Sequence, residues 1–384
     1  MINNPKILLL GQYRGSCGWS EATKDYIRAL SKVTKNLAIR PLYMSNEIGK
    51  TPEDLFQFEF NKFEEYDYCI QYCLPHLFSF DNRFKKSIGI FHSETSGWRN
   101  GWIEKSNLMS EIWVSTGVEA TNLTKSGVKV PIHVVPMPVD VNKFLQSYEP
   151  LPIPTLTQDT FVFYFIGEFI TRKGLLELIT AFHTEFSPNE DVALLIKTNK
   201  SGVDPNTLAE EVVKFSENIK KTLRLRRPED YKPEIIITER LSEEKLNRLH
   251  KTCNCFVLPT HGESWSRPCM DALGFGNPVI VTSHTGPVEY VESRWASMYD
   301  RNGYHIDSVA APVMCSDPPM LDLYTGYETW RQPDICDLKR TMRGLVSLSR
   351  RDRENWDAVR ENAADTPYNY TYDKVANIMK ELLC

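Results

Sequence analysis

Short apolar runs rich in β-branched and aromatic residues recur at 6–10, 37–43, 66–72, 87–91, 111–115 and 132–135, and stretches with helical spacing fill the gaps between them. The clearest of those, 21–33, carries Ala22, Tyr26, Ala29, Leu30 and Val33 at three- and four-residue steps, which makes one apolar stripe on a helix. A second series of runs begins at 161–166 and continues through 192–197, 234–238, 255–258 and 278–281, before helical patterns at 338–349 and 372–383. Strand-like runs alternating with helical ones predict an α/β fold with parallel sheets covered by helices on both faces.

The two series are separated by 136–160, where Pro136, Pro138, Pro150, Pro152 and Pro154 crowd a segment without periodicity. This reads as an interdomain linker, and it predicts two similar α/β domains, at 1–150 and 151–370. Pro312, Pro318 and Pro319 interrupt 310–332, with Pro333 at its end, so a loop wrapped on the second domain is expected there.

Composition narrows the functional classes. The 384 residues are 41% hydrophobic, 25% charged and 11% aromatic, as in ordinary globular proteins. With 45 Lys and Arg against 50 Asp and Glu, the net charge is −5, and the basic footprint of a nucleic-acid binder is missing. No apolar run approaches the ~18 residues of a membrane span, so no integral membrane segment is expected. The first eleven residues read as a strand rather than a secretory signal, which predicts a cytoplasmic protein. The Asn-x-Thr triplets at Asn122 and Asn369 are then chance matches. Nine cysteines with no C-x-x-C pair argue against a disulfide framework or a four-ligand zinc site; Cys69, Cys73, Cys253 and Cys255 sit in or beside apolar runs and read as small buried hydrophobes.

Three segments carry candidate chemistry. Gly11-Gln-Tyr-Arg-Gly15-Ser-Cys17-Gly18 joins the first strand to the first helix, where glycines either let backbone N–H groups approach a phosphate or serve a tight turn. Gly167-Glu168-Phe-Ile-Thr-Arg172-Lys173-Gly174 leaves a buried strand with two adjacent cations, which suit a pyrophosphate or stand as solvated charge. The third, His261-Gly-Glu263-Ser264-Trp265-Ser266-Arg-Pro268-Cys-Met-Asp271-Ala272, follows the strand at 255–258, with Pro268 suited to a first helical turn. Glu263 then lies in a loop and Asp271 about one turn inside a helix, two carboxylates able to accept hydrogen bonds from sugar hydroxyls. Ser264, Trp265 and Ser266 offer backbone donors at the helix start. Trp265 equally suits a core position, and Arg240, at a strand end, suits either a nucleotide contact or an exposed charge.

Glu263, seven residues, Asp271, then Ala272, Gly276, Pro278, Val279 and Ile280 resemble the signature of retaining GT-B glycosyltransferases of the family 4 (group 1) type. Trp113-Val-Ser, the segment from Val134 to Phe144, the stretch Gly167 to Gly174 and Leu241-Ser-Glu-Glu-Lys-Leu extend the likeness over most of the chain. The resemblance implies two Rossmann-like domains facing across a cleft, with the acceptor on the first, the nucleotide sugar on the second, and a helix at 371–384 crossing back to the first. By the same resemblance, Glu263 touches the donor sugar, Asp271 binds the ribose, Lys173 binds phosphate, Gly18 approaches the donor phosphates, and His92 contacts the sugar. Read without the resemblance, His92 suits a hydrogen-bonded core histidine. Three positions depart from the family pattern: Asp271 replaces Glu, Cys17 replaces a glycine, and Glu168 stands where a phosphate-binding Arg is usual, with Arg172 expected to substitute.

The function expected is transfer of a hexosyl unit from a nucleoside diphosphate sugar to an acceptor hydroxyl of a glycan, a lipid-linked molecule or a small molecule, with retention. No Asp-x-Asp occurs, so no metal or other cofactor is expected, and Arg172, Lys173 and a helix dipole would meet the leaving-group charge. A non-catalytic nucleotide-sugar-binding protein and a GT-B nucleotide-sugar epimerase are the alternatives. A weak peripheral membrane contact through Arg83-Phe-Lys-Lys and the helix at 21–35 is the other use of cations that otherwise form a solvated face.

Overall fold

The computed structural model describes residues 4–44, 49–292, 300–313 and 323–384. The chain divides into two compact units, Met1–Val141 with Tyr368–Cys384, and Asn142–Pro367.

In the first unit, strands β1 (Ile7–Gly11), β2 (Leu37–Pro41), β3 (Tyr68–Tyr72), β4 (Lys86–Ile90), β5 (Glu111–Val114) and β6 (Ile132–Val134) form one sheet, ordered β2-β1-β3-β4-β5-β6. Every pairing in it is parallel. Helices α1 (Gly18–Val33), α2 (Glu53–Phe60), α3 (Asn100–Ser106) and α4 (Gly117–Ser126) connect successive strands. The apolar stripe of α1 is buried at Ala22, Tyr26, Ala29 and Leu30, as its spacing predicts.

The second unit repeats the plan with β7 (Phe161–Glu168), β8 (Val192–Asn199), β9 (Ile235–Ile237), β10 (Cys255–Leu258), β11 (Val279–Thr282) and β12 (Gly303–Ile306), ordered β12-β11-β10-β7-β8-β9 and again all parallel. Its first helices are α5 (Leu175–Glu185), α6 (Pro205–Leu223), α7 (Glu243–Thr252) and α8 (Arg267–Gly274). Long apolar runs mark β7 and β8 because both faces are covered: Phe163 and Phe165 are fully buried, as are Leu195 and Ile196. The α/β class with two parallel sheets is as the alternation predicts.

Two elements depart from expectation. The sixth strand, β12, reads Gly-Tyr-His-Ile and lacks the apolar run that marks its neighbours, yet it pairs with β11 from Val279↔Gly303 to Thr282↔Ile306. Beside it, an antiparallel ribbon of β13 (Ser308–Pro312) and β14 (Thr329–Pro333) occupies both ends of the segment expected as loop. Pro312 and Pro333 sit at strand ends, where a missing N–H is tolerated. Pro318 and Pro319 lie outside the described residues.

Helices α9 (Ile335–Arg351) and α10 (Arg353–Asp365) close the second unit, and α11 (Tyr372–Leu383) packs on α1 of the first. Tyr372 donates to Asp25 at 2.7 Å, Lys32 pairs with Asp373 at 2.9 Å, and Tyr68 donates to the Leu383 carbonyl at 2.8 Å. Cys69, Cys73, Cys253 and Cys255 are buried and unbridged. Among the described residues no helix is long and apolar enough to cross a membrane. Arg83, Lys85 and Lys86 pair with Asp81, Asp67 and Glu111 at 2.6, 2.7 and 2.8 Å, so that basic stretch carries matched charge.

A buried cluster in the second unit gives a test of its electrostatics. Burial opposes ionisation of Glu234, but His183, Lys220 and Ser216 all bond its carboxylate, and the balance holds it at about 2. A carboxyl lowered by folding adds stability that is complete above its ordinary value of 4.5 and is lost as pH falls toward 2. Glu234→Gln is therefore expected to flatten the fall in melting temperature between pH 4.5 and 2; an unchanged acid limb would place the acid sensitivity elsewhere.

Candidate functional site

In the second sheet the strand order reverses between β7 and β10, and loops at the carboxyl ends of strands flanking such a reversal form a crevice suited to ligands. The loop after β7 carries Arg172 and Lys173; the loop after β10 carries Glu263. Backbone bonds lock them together: His261 N–H donates to the Arg172 carbonyl at 2.7 Å, and Thr260 Oγ1 donates to the same oxygen at 2.9 Å. Gly174 has φ +75°, and a Cβ there would lie 1.8 Å from the Pro259 carbonyl oxygen, so only glycine permits this approach. Gly286 holds the other side, its N–H donating to the Glu263 carbonyl at 2.7 Å while a Cβ would meet the Ser264 oxygen at 1.7 Å.

Within this frame the Lys173 ammonium pairs directly with Glu263 Oε2, and the Arg172 guanidinium stands 3.8 Å from the same oxygen while donating to the Gly262 carbonyl at 2.6 Å. Burial disfavours the Glu263 anion, but the charges of Lys173 and Arg172 outweigh it and hold the carboxyl below its ordinary value. The trio thus presents an ionised carboxylate and two cations, a surplus of positive charge at the switch point.

Asp271 lies in α8, where Ser266 caps the helix by accepting from Cys269 N–H at 3.3 Å and Pro268 occupies the first turn. Lys143 Nζ donates to Asp271 Oδ1 at 2.6 Å. Against the cost of burial, Lys143, Arg267 and His250 lower the Asp271 carboxyl. Ser266 has φ +70°, a strained value for a non-glycine residue and one that tends to mark functional loops. Ser264 is buried beside Glu263, whereas the Trp265 ring is 1% exposed and packed 4.9 Å from Tyr290, a core placement that leaves only its backbone to a ligand. Arg240 is exposed between β9 and α7 and meets none of these residues.

The first unit holds the other two. Gly18 opens α1, and a Cβ there would meet nothing within 4 Å. His92, just past β4, is buried between Tyr26 and Tyr72, with Nδ1 3.7 Å from Glu119 Oε1 and, among the described residues, no hydrogen-bond partner at either ring nitrogen. Two unsatisfied polar atoms in a buried ring are costly.

Several supporting residues carry no sequence signal. Glu119 accepts from Ser93 N–H at 2.7 Å and Ser115 N–H at 2.9 Å, tying the loops after β4 and β5. Glu177 accepts from Gln332 at 2.9 Å and lies 3.1 Å from the His261 ring, so the β13–β14 ribbon buttresses the Glu263 loop. Glu177 was legible only as a charge inside the apolar pattern of α5. The first unit also has a crevice of about 680 Å³ lined by Arg14, Ile39, Pro41, Phe56, Glu59 and Phe60, among others. No group of three or more His, Cys, Asp or Glu side chains among the described residues is arranged to hold a metal ion.

Residues 152–312 match the family model for glycosyl transferases group 1. The capsular polysaccharide biosynthesis glycosyltransferase CapM of Staphylococcus aureus is 26% identical over 154 residues, which make up 40% of this chain and 34% of that protein, so the likeness spans about a third of the relative's length. Among solved structures, HepE of Anabaena in complex with UDP and glucose has a TM-score of 0.66 at 14% identity, covering 99% of both chains. Sucrose-phosphate synthase of Thermosynechococcus elongatus has a TM-score of 0.65 at 12% identity, covering 98% of this chain and 97% of that one. The fold is that of the GT-B glycosyltransferases.

Proposed function

We propose that this protein is a retaining glycosyltransferase that moves a hexosyl unit from a nucleoside diphosphate sugar to an acceptor hydroxyl. The observation that carries the reading is the buried Glu263–Lys173–Arg172 cluster at the switch point of a sheet whose residues match the group 1 model. The structural neighbours bound to UDP and to UDP-glucose make a uracil donor the first to try.

In this reading the bond from the anomeric carbon to the diphosphate oxygen breaks while the acceptor oxygen adds on the same face, and the acceptor proton passes to the departing phosphate. Lys173 and Arg172 take up the negative charge released on the diphosphate, with the first turn of α8 adding backbone donors. The ionised Glu263 faces the positive charge that develops at the anomeric carbon, and its fixed position means that no reorganisation accompanies the reaction. Asp271 accepts from the ribose, sharing its carboxylate with Lys143. The first unit takes the acceptor, with His92 and Gly18 as its candidate substrate contacts.

A panel of nucleoside diphosphate sugars tests the reading by thermal shift and by mass spectrometry of slow hydrolysis. A donor present at 100 times its Kd should stabilise the fold by about 2.7 kcal/mol. That corresponds to a rise of several degrees in melting temperature. A panel in which no nucleotide sugar stabilises or is turned over would overturn the assignment.

A further inference from the structure

Lys197 is a buried cation that the proposed reaction leaves without a task. It lies at the carboxyl end of β8, 6% exposed, and its one described hydrogen bond is to the neighbouring Thr198 carbonyl at 3.1 Å. Lys220, equally buried, pairs with Glu234 at 2.8 Å, but no carboxylate among the described residues lies within ion-pair distance of Lys197. Desolvation alone pushes its ammonium below the ordinary lysine value. A lysine held this way is costly to the fold unless something outside the chain uses it.

The sheet register says which part of a ligand it faces. Lys197 pairs with Ile166 as Leu195 pairs with Tyr164, so these side chains share one face of the sheet. Tyr164 lies 2.7 Å from the His250 ring of α7 and accepts from Asn277 at 3.1 Å, which identifies this as the face covered by α7; Phe163, on the other face, packs near Phe186 at the end of α5. On its far side Lys197 pairs with Ile237, whose strand runs on through Glu239 and Arg240 into α7. The loop bearing Arg172 and Lys173 instead leans toward β10, through the bond from His261 N–H to the Arg172 carbonyl. Two strand spacings, roughly 10 Å, therefore separate the diphosphate-binding edge from Lys197. Asp271, the ribose candidate, interacts with His250 on the same α7 face.

We propose that Lys197 Nζ donates a hydrogen bond to a ring carbonyl oxygen of the donor's nucleobase, a specificity-determining contact that rests on the nucleotide-sugar reading above. A desolvated amine keeps a donor hydrogen in either protonation state, which suits a neutral carbonyl. A site built around one buried polar group discriminates strongly against ligands that leave that group unpaired.

Calorimetry with UDP, GDP, ADP and inorganic pyrophosphate on the wild type and on Lys197→Met tests this. Methionine fills the same space without a donor, so the melting temperature should hold or rise; Lys197→Leu, which also lacks a donor, is the companion if the methionine variant does not fold. The expected result is a 10- to 100-fold loss for the preferred nucleotide, reduced discrimination among the three, and pyrophosphate binding unchanged. Equal losses for pyrophosphate would make Lys197 a phosphate ligand, and unchanged nucleotide binding would make it structural; either overturns the inference while leaving the transferase reading intact. A wild type that binds none of the nucleotides rejects that reading and the lysine assignment together.

Discussion

Glu263→Gln should lower turnover by about three orders of magnitude while leaving nucleoside diphosphate affinity equal or higher, an effect of the size seen when one preorganised electrostatic group is removed from an active site. Glutamine keeps the shape of the side chain and removes only its charge. The wild-type carboxylate neutralises part of the charge on Lys173 and Arg172; without it, both cations face the diphosphate unopposed. Binding and turnover should therefore move apart, which a merely structural glutamate would not produce. The pH profile offers a second readout. Because the Glu263 carboxyl is held below its ordinary value, the group stays ionised at neutral pH, and activity that depends on it should fall only as pH drops through the acid range. The glutamine variant should lack that acid limb. Undiminished turnover in Glu263→Gln would remove the carboxylate from the mechanism.

Gly174→Ala should cost about 3 kcal/mol, the sum of a left-handed backbone penalty and the clash of a methyl group with the Pro259 carbonyl. For a unit of this size that corresponds to a fall of roughly 6–12 °C in melting temperature. The loops bearing Lys173 and Glu263 would be forced apart, so donor affinity should fall with stability. Gly202→Ala supplies the comparison: Gly202 has the same φ of +75°, but a Cβ there meets nothing within 4 Å. That variant should lose only about 1 kcal/mol and keep full donor affinity. Equal losses in the two variants would show that the contact with Pro259 is not what holds the site together.

The strands were legible where both faces of a sheet demand apolar residues. Phe161 to Ile166 announces β7 by composition alone, and Cys255–Leu258 was readable to the residue. β12 escaped because an edge strand with Tyr304 and His305 among its four residues has no apolar run to show. The β13–β14 ribbon escaped because prolines at its strand ends look, in one dimension, like prolines in a loop. For the site, the adjacent cations and the spaced carboxylates were visible as chemistry, whereas their partners were not. Lys143 meets Asp271 across 128 positions of sequence, a pairing set by packing rather than spacing. Glu119 and Glu177 each occupy one position of a helical pattern, and nothing local separates such a residue from a solvated charge. Lys197 was hidden differently, as the polar end of a run that otherwise reads as strand.

The packing of α11 on α1 also bears on how the molecule is made. The surface of α1 that buries against α11 belongs to a unit whose sheet is synthesised before the second unit, yet its cover is encoded beyond Pro367. At 5–20 residues per second, translating 142–367 takes roughly 10–45 s. During that interval the first unit exists without its last helix, with Asp25 unpaired from Tyr372 and an apolar face open to other chains. Nascent chains arrested before Tyr372 should therefore recruit holdases and resist protease poorly in residues 4–141. Synthesis of α11 then closes the first unit, so completion of that unit waits on translation of the second.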